Sequence, residues 1–473
     1  VSVKFEIIRI VKYYIREEGR EMNRSKSETT RSIDIVNGGL WKNILMFAIP
    51  LAVSSVLQQL FNSVDVAVVG KFATSQDQAA VGCTGALINL MINLFVGISV
   101  GANVVISNYL GSKKDDKVKS AVHTSIVIAL VSGIFLLVIG IIVARPVLVL
   151  MDTPADTLNL AVDYMKIYFL GMPFIMLYNF GAAILRSIGD TKRPLYCLTV
   201  AGVLNAALNL FLVIVFHLGV TGVAIATVIS NIVSSLMITY ILIHENEPVK
   251  LSVKKLGISK QDLSKILKIG VPAGIQGMVF SFANVFIQAA LNGFGSDVVA
   301  CSAVALNYEF IIYFIVSAFS QTAVTFVSTN FGAGNYDRVK KVFRICMIYS
   351  VVISQALGII VALNGFFFAS IFTSKAAVAG YAVTRMRLLL FFYLLVSSYE
   401  IGGAALRGMG HSMTPAALTV FGTCVLRLVW IYTVFVKYHS YDVLLIVYPV
   451  SWIITGVAVL AAYVYVSKKE CKI

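Results

Sequence analysis

The chain has 473 residues, of which 58% are hydrophobic and only 13% are charged. Soluble domains carry roughly a quarter charged residues, so this composition excludes an ordinary soluble domain and indicates a protein that crosses a membrane repeatedly. A net charge of +15 could suggest nucleic-acid binding, but the basic residues are divided among the loops between apolar segments. That distribution argues against a nucleic-acid partner.

Apolar runs of about twenty residues or more are long enough to cross a bilayer as helices. About twelve such runs occur, and they are continuous rather than alternating, which predicts helices and not barrel strands. The predicted fold class is therefore an all-α membrane protein with about twelve transmembrane helices. The predicted spans are 44–70, 79–106, 120–143, 160–185, 195–216, 220–243, 266–292, 298–329, 343–370, 381–406, 414–436 and 441–466.

Lys and Arg concentrate on one side of the predicted membrane. The N-terminal arm, the even-numbered loops and the C-terminus hold about thirty of the 38 basic residues, whereas the odd-numbered loops hold about four. The positive-inside rule therefore predicts a multi-pass protein of the inner or plasma membrane with both termini in the cytoplasm. The charged segment 1–31 lacks a small-residue cleavage site, so no cleavable signal peptide is expected, and Met22 would suit a later start of translation.

The sequence contains no motif typical of an enzyme or of an ATP-driven pump. GxxxxGK[ST] and HExxH are absent, and no loop is long enough for a nucleotide-binding domain. The six cysteines are scattered without CxxC or Cys/His spacing, so neither a disulfide framework nor a cysteine metal site is predicted. We therefore expect a protein without enzymatic activity and without a cofactor.

The two halves of the chain resemble each other at an offset of about 221 residues. SNYLGSKKDDKVKSAV (107–122) matches STNFGAGNYDRVKKVF (328–343), AAILRSIGDTKRP (182–194) matches GAALRGMGHSMTP (403–415), and at nearly the same offset Pro50 matches Pro272. Each repeat holds an even number of helices, about six, so the repeats have the same orientation and predict two six-helix lobes. The predicted domains are a basic cytoplasmic arm at 1–40, an N-lobe at 41–243, a cytoplasmic linker at 244–265, a C-lobe at 266–466 and a cytoplasmic tail at 467–473.

Asp65 lies inside the first predicted span, with no Lys or Arg between Lys42 and Lys71. A carboxylate in hydrocarbon costs several kcal/mol unless it is neutralised, paired or hydrated, so it marks a candidate functional site. The alternative is that Asp65 lies near the end of the helix, reaches the headgroups and only terminates the span.

The sequence resembles the multidrug and toxic compound extrusion (MATE) family over about residues 40–466. The resemblance rests on FNSVDVAVVGKF in the first helix, VLNAALNLFLV and LGVTGVAIAT in the fifth and sixth, and ILRSIGDTKRP and ALRGMGHSMTP after the fourth and tenth. It implies a monomer, surrounded by membrane lipids, in which inward flow of Na⁺ or H⁺ drives export of amphipathic, often cationic drugs or toxic metabolites. Two rocking lobes would give alternating access to a site between them.

The resemblance also implies an ion-coupling site in the N-lobe, formed by Asp65, Asn205, Asn209 and Thr227. Asn209 stands where the family pattern has an Asp, which leaves the identity of the coupling ion open. Asn205 and Asn209 are four residues apart on one helical face, so with Asp65 and Thr227 they could supply oxygen ligands to Na⁺. Alternatively, H⁺ would need only Asp65, or the two amides could serve as hydrogen bonds between helices.

Two further carboxylates, Glu309 and Glu400, fall inside predicted spans of the C-lobe, and Asn179 occupies the position equivalent to Glu400 in the N-lobe. We expect all three to line the substrate cavity between the lobes, where the carboxylates would attract cationic compounds. The alternative for each Glu is an internal ion pair, with Arg385, Arg387 or Arg427 as the partner.

Two other classes of function compete with the antiporter. A flippase for lipid-linked saccharide precursors would have a basic central cavity that holds phosphates. A scaffold or receptor that transports nothing would leave Asp65 and the repeat unexplained.

Overall fold

The computed structural model describes residues 33–373 and 375–471. The predicted arm at 1–40 lies mostly outside these residues, as do the last two residues of the predicted tail. The helices of the first repeat are α1 (Leu40–Phe72), α2 (Ser75–Gly111), α3 (Asp115–Leu150), α4 (Ala155–Leu170), α5 (Met172–Ser187), α6 (Lys192–Leu210) and α7 (Gly219–Ile243). Those of the second are α8 (Lys260–Asn292), α9 (Ser296–Gly332), α10 (Tyr336–Leu363), α11 (Gly365–Ser370), α12 (Ala376–Leu390), α13 (Leu394–Gly408), α14 (Met413–Thr419), α15 (Leu426–Trp430), α16 (Val436–Tyr438) and α17 (Tyr441–Glu470).

The helices confirm the predicted all-α membrane fold. Within the described residues, ten helices are long and apolar enough to cross a membrane, and two bent pairs raise the number to 12. The bent pairs are α4 with α5, at 46°, and α12 with α13, at 48°. They occupy the predicted spans 160–185 and 381–406, so these two spans, one in each lobe, are broken rather than continuous.

The break between α4 and α5 has a cause in the sequence. Gly171 separates the two helices, and Pro173 lies in the first turn of α5. Proline lacks the N–H that would continue the ladder of α4, and its ring clashes with the preceding turn. The chain therefore bends at this point.

The break between α12 and α13 has no Gly or Pro, and the side chain of Gln355 on α10 stabilises it instead. Gln355 Nε2 donates to the carbonyl oxygens of Leu390 and Phe391, each at 3.1 Å. Gln355 Oε1 accepts from the backbone N–H of Leu394 at 2.8 Å. One side chain thus satisfies the Phe391 carbonyl and the Leu394 N–H, and it adds a second donor to the Leu390 carbonyl, which also accepts from the N–H of Tyr393.

The second repeat begins earlier than its hydropathy suggests, because α8 starts at Lys260 and not at 266. Ser259 caps this helix by accepting from the N–H of Asp262. The Asp262 carboxylate is fully buried and accepts from Tyr109 at 2.9 Å and from Ser120 at 2.6 Å, both in the first repeat. These bonds hold the polar first turn of α8 against the N-lobe. Residues 244–259 therefore form the connection between the lobes.

The lobes meet closely at the end of the molecule where this connection lies, called the linker end below. α2 crosses α8 there so closely that a Cβ on Gly101 would lie 2.3 Å from the carbonyl oxygen of Ile266. Nearby, Thr325 donates to Asn103 at 3.0 Å and Ser328 donates to the carbonyl oxygen of Val104 at 2.7 Å. Glycine and short hydroxyl side chains therefore close the linker end by direct contact between helices.

Candidate ion and substrate sites

The four predicted ion-site residues come together within the N-lobe. Asn209 on α6 donates through Nδ2 to Asp65 on α1 and, at 3.2 Å, to Asn205 Oδ1. Asn205 donates in turn to Thr227 Oγ1 on α7 at 3.3 Å. One turn of α6 separates the two Asn residues, which places both amides on the same helical face, where they bond to each other. Three helices of one lobe thus build a continuous polar cluster.

The cluster offers unshared oxygen atoms. Asn209 is fully buried, and because its Nδ2 is engaged by Asp65 and Asn205, its Oδ1 has no donor among the described residues. Asp65 forms no salt bridge within the same part of the chain. A carboxylate and a buried amide oxygen with no donor are groups that a hard cation would satisfy.

Three further polar residues of the N-lobe were not predicted from the sequence. Tyr164 and Tyr168 on α4 lie close enough to Asp65 to interact with its charge. The carboxylate of Asp77 accepts from Thr74 Oγ1 at 2.7 Å and from the N–H of Val220 at 3.1 Å. Asp77 therefore ties the start of α7 to the start of α2, a structural role that the capping pattern at 74–77 could have suggested.

A central cavity of about 400 Å³ lies between the lobes. Asn179 of the N-lobe and Glu400 of the C-lobe line it from opposite sides. Tyr313 and Ser320 donate to Glu400 at 3.5 Å, the outer limit of a hydrogen bond. The sequence analysis did not select these two hydroxyl groups.

Two arginines from equivalent positions of the repeats also line the central cavity. Arg407 donates to Gln276 at 3.1 Å. Arg186, its counterpart in the N-lobe, is half-buried and has no salt-bridge partner among the described residues. With Glu400 as the carboxylate lining the same cavity, its wall carries a net charge of +1. Matching ILR and ALR segments could have revealed this pair.

Glu309 is placed differently from the expectation that it faces the central cavity. Arg385 on α12 donates to both its carboxylate oxygens, at 2.7 and 3.1 Å, and Arg385 is 1% exposed. The pair lines a smaller pocket inside the C-lobe. The structure thus gives Glu309 the alternative arrangement, an internal ion pair, because α12 brings Arg385 directly opposite it.

The predicted Na⁺ ligands are mainly amide and hydroxyl groups. Across residues 33–373 and 375–471, no group of three or more His, Cys, Asp or Glu side chains is placed to hold a metal ion. The polar cluster of the N-lobe instead combines one carboxylate with neutral oxygen donors. Such a set carries one negative charge, which is compatible with a monovalent cation.

Two helical lobes that enclose a polar cavity within a membrane define a transporter. A family model described as MatE matches the chain twice, over residues 50–211 and 272–433. The matches cover more than half of the chain, so the protein belongs to the MATE family, whose members are transporters and not enzymes. The matches begin 222 residues apart and confirm the internal repeat.

Several bacterial proteins are similar to nearly the whole chain. The probable multidrug resistance protein YoeA of Bacillus subtilis is 28% identical over 91% of this chain and 95% of its own length. The multidrug export protein MepA of Staphylococcus saprophyticus is 24% identical over 80% of this chain and 84% of its own. The probable multidrug resistance protein NorM of Thermotoga maritima is 26% identical, with 85% and 87% covered.

Solved structures share the fold. One is a MOP-superfamily transporter from Pyrococcus furiosus, described as having a binding pocket of reverse polarity that suggests a different function. It is 22% identical to this chain with a TM-score of 0.86, and the match covers 94% of this chain and 100% of that structure. A MATE structure in the straight conformation has a TM-score of 0.85 at 22% identity and covers 94% and 99%.

Proposed function

We propose that the protein exports amphipathic small molecules in exchange for a monovalent cation, Na⁺ or H⁺. The observation that carries this proposal is the N-lobe cluster, in which Asp65 lacks a salt bridge and Asn209 Oδ1 lacks a donor among the described residues. An ion gradient would supply the energy for export. Relatives named as multidrug resistance and export proteins support the small-molecule cargo.

The cation would bind to the Asp65 carboxylate together with the oxygens of Asn205, Asn209 and Thr227. The cluster carries one negative charge, so binding of one monovalent cation neutralises it and removes the cost of a charge in the membrane. With a proton, the same carboxyl would become neutral and keep the amides as its hydrogen-bonding neighbours. Both ions therefore act through Asp65.

Alternating access follows from how the lobes meet. Glycine contacts such as Gly101 with Ile266, and hydrogen bonds such as Asn103 with Thr325, close the linker end. We propose that this end faces the cytoplasm, with both termini on that side, and that rocking of the lobes opens it to load cargo into the central cavity. One chain contains both the cation site and the cavity, and we propose that it transports as a monomer.

A flippase for lipid-linked saccharide precursors is the second candidate. The observation in its favour is the pair Arg186 and Arg407, which gives the central cavity a net positive charge suited to phosphate. The relatives named as multidrug exporters favour small molecules instead.

The test is transport by purified protein in liposomes, with Na⁺ and H⁺ gradients imposed separately. Cargo would be ethidium, naphthoate or a fluorescent polyprenyl pyrophosphate. Wild type should move a small molecule under one gradient, and Asp65→Asn should reduce that rate to background. Asp163→Asn, an exposed aspartate of the same lobe, is the matched control and should transport at the wild-type rate.

Equal rates in wild type and Asp65→Asn under both gradients would refute the coupling site. Movement of the polyprenyl lipid alone would establish the flippase instead.

A further inference from the structure

A second pocket, of about 210 Å³, lies within the C-lobe. Helices α8, α9, α12, α13, α15 and α17 contribute to its wall. Its charged side chains are Glu309, Arg385 and Arg427, and aromatic rings make up much of the rest. Phe280, Tyr313 and Tyr399 line both this pocket and the central cavity, so the two adjoin.

Arg427 is the unusual residue of this pocket. It is 1% exposed, and its Nε donates to Ser451 at 3.2 Å. Its two terminal nitrogens, Nη1 and Nη2, are buried and have no acceptor in the part of the chain that the structure describes. Leaving donors of a buried charged group unpaired costs several kcal/mol, which an anionic ligand would recover.

The aromatic rings hold the Arg427 guanidinium in place. Its Cζ lies 4.5 Å from the ring centre of Tyr448 and 5.5 Å from that of Phe280. These contacts stabilise a cation through the ring faces and leave its edge, with Nη1 and Nη2, for hydrogen bonding. A planar guanidinium fixed in this way suits the two oxygens of a carboxylate.

The charges of the pocket do not balance internally. Glu309 accepts both of its close hydrogen bonds from Arg385, so this pair is neutral. Arg427 forms no salt bridge among the described residues. The pocket therefore carries a net charge of +1, in a buried setting where electrostatic attraction to an anion is strong.

The repeat shows that this pocket is the C-lobe counterpart of the N-lobe cluster. Pro194 and Pro415 are 221 residues apart, but the two family matches end 222 residues apart, at 211 and 433. The additional residue is assigned to Val420–Val425, because this segment is π-helical whereas the equivalent part of the N-lobe is α-helical, and a π-turn accommodates one inserted residue. Beyond this segment the offset of 222 pairs Asn205 with Arg427.

We propose that the C-lobe pocket binds the carboxylate of a small aromatic or otherwise apolar organic acid through Nη1 and Nη2 of Arg427. The aromatic walls would take the apolar body of the acid, and the acid would pass from the central cavity by displacement of the aromatic side chains that line both pockets. The identification of this acid as cargo rests on the proposed function, but its binding requires neither an ion gradient nor movement of the lobes.

The test is calorimetric titration of the purified protein in lipid nanodiscs with naphthoate and with naphthamide, its neutral analogue. Wild type should bind naphthoate at least about tenfold more tightly than naphthamide. Equal affinities would overturn the proposal, and this comparison requires no variant. If chloride displaced naphthoate at a chloride concentration below that of the naphthoate, the proposal would also be overturned, since the site would then prefer a small inorganic ion.

Variants locate the binding. Arg427→Gln should weaken naphthoate about tenfold or more and leave naphthamide nearly unchanged, while Arg427→Lys should retain part of the affinity. Arg145→Gln, an exposed arginine of the N-lobe, is the matched control and should bind as wild type does. Unchanged naphthoate affinity in Arg427→Gln would refute the assignment. Naphthoate binding without transport would leave the pocket established and refute only the proposed cargo.

Discussion

The two lobes share a repeat but carry opposite charges in equivalent sites, where each charged residue corresponds to a neutral residue in the other lobe. In the N-lobe, Asp65 is surrounded by amides and a hydroxyl and has no salt bridge among the described residues. At the offset of 222, Asp65 corresponds to Ile287, which lines the C-lobe pocket, and Asn205 corresponds to Arg427. The N-lobe site is therefore suited to a cation and the C-lobe pocket to an anion.

This difference suggests a division of labour within one repeated fold. Prolines recur at equivalent positions of the two repeats, such as Pro50 with Pro272 and Pro194 with Pro415, and the repeated helices determine how the lobes pack. Buried side chains away from the contact between the lobes can change charge without disturbing it. One lobe could then bind the coupling ion while the other binds cargo, with the central cavity between them.

The largest effect on transport is expected from cross-linking the two lobes at the linker end, which prevents them from moving apart. Lys117 of the N-lobe donates to Gln261 of the C-lobe at 2.8 Å, and both side chains are exposed at the linker end. In the double variant Lys117→Cys/Gln261→Cys, a short cleavable cross-linker should abolish transport, and cleaving it should restore the rate. The single variants treated in the same way should transport normally. Undiminished transport by the cross-linked protein would show that the linker end need not open.

Breaking the buried ion pair between Glu309 and Arg385 should strongly destabilise the C-lobe. Glu309→Gln leaves Arg385 buried without a counter-charge, and removing one partner of a buried pair costs about 3–5 kcal/mol. The thermal unfolding temperature in detergent should fall clearly. The double variant Glu309→Leu/Arg385→Met should recover most of that loss. If Glu309→Gln unfolds at the wild-type temperature, the ion pair contributes little to stability.

Removing one amide should weaken the cation site without removing its charge. Asn209→Ala deletes both a donor to Asp65 and a buried oxygen. We expect ion-coupled transport to fall roughly tenfold, the effect of losing about 1.4 kcal/mol of binding. Asn231→Ala is the matched control, because Asn231 is an amide of the same lobe that donates to a backbone oxygen, the carbonyl of Thr227. A larger loss in Asn231→Ala than in Asn209→Ala would argue against Asn209 as a ligand.

The smallest expected effect concerns the two helix breaks. The N-lobe break contains Gly171 and Pro173, whereas the C-lobe break depends on Gln355. Gln355→Ala should destabilise the protein by about 0.5–1 kcal/mol, because two of its three hydrogen bonds are exposed and are replaced in part by water or headgroups. Denaturant titration measures this, with Asn364→Ala at the end of the same helix as the control. No difference between the two variants would mean that water or lipid headgroups satisfy the break equally well.

The fold could largely be predicted from the sequence, because apolar run length and the repeat are strong signals. The cluster of Asp65, Asn205 and Asn209 followed from the resemblance and from the one-turn spacing on α6. The bend after Leu390 could not be foreseen, since its support comes from Gln355 on another helix. The partner of Glu309 was also undetermined, because choosing Arg385 over Arg387 or Arg427 requires knowing which helix faces it.

The most direct test that the two lobes bind different ligands is to measure both cation binding and naphthoate binding in nanodiscs. The three proteins compared are wild type, Asp65→Asn and Arg427→Gln. Cation binding would be followed as Na⁺ titration at constant pH and as proton uptake without Na⁺. The account predicts that Asp65→Asn loses cation binding and keeps naphthoate, and that Arg427→Gln does the reverse. Loss of both ligands in a folded Arg427→Gln, or retention of both in Asp65→Asn, would contradict it.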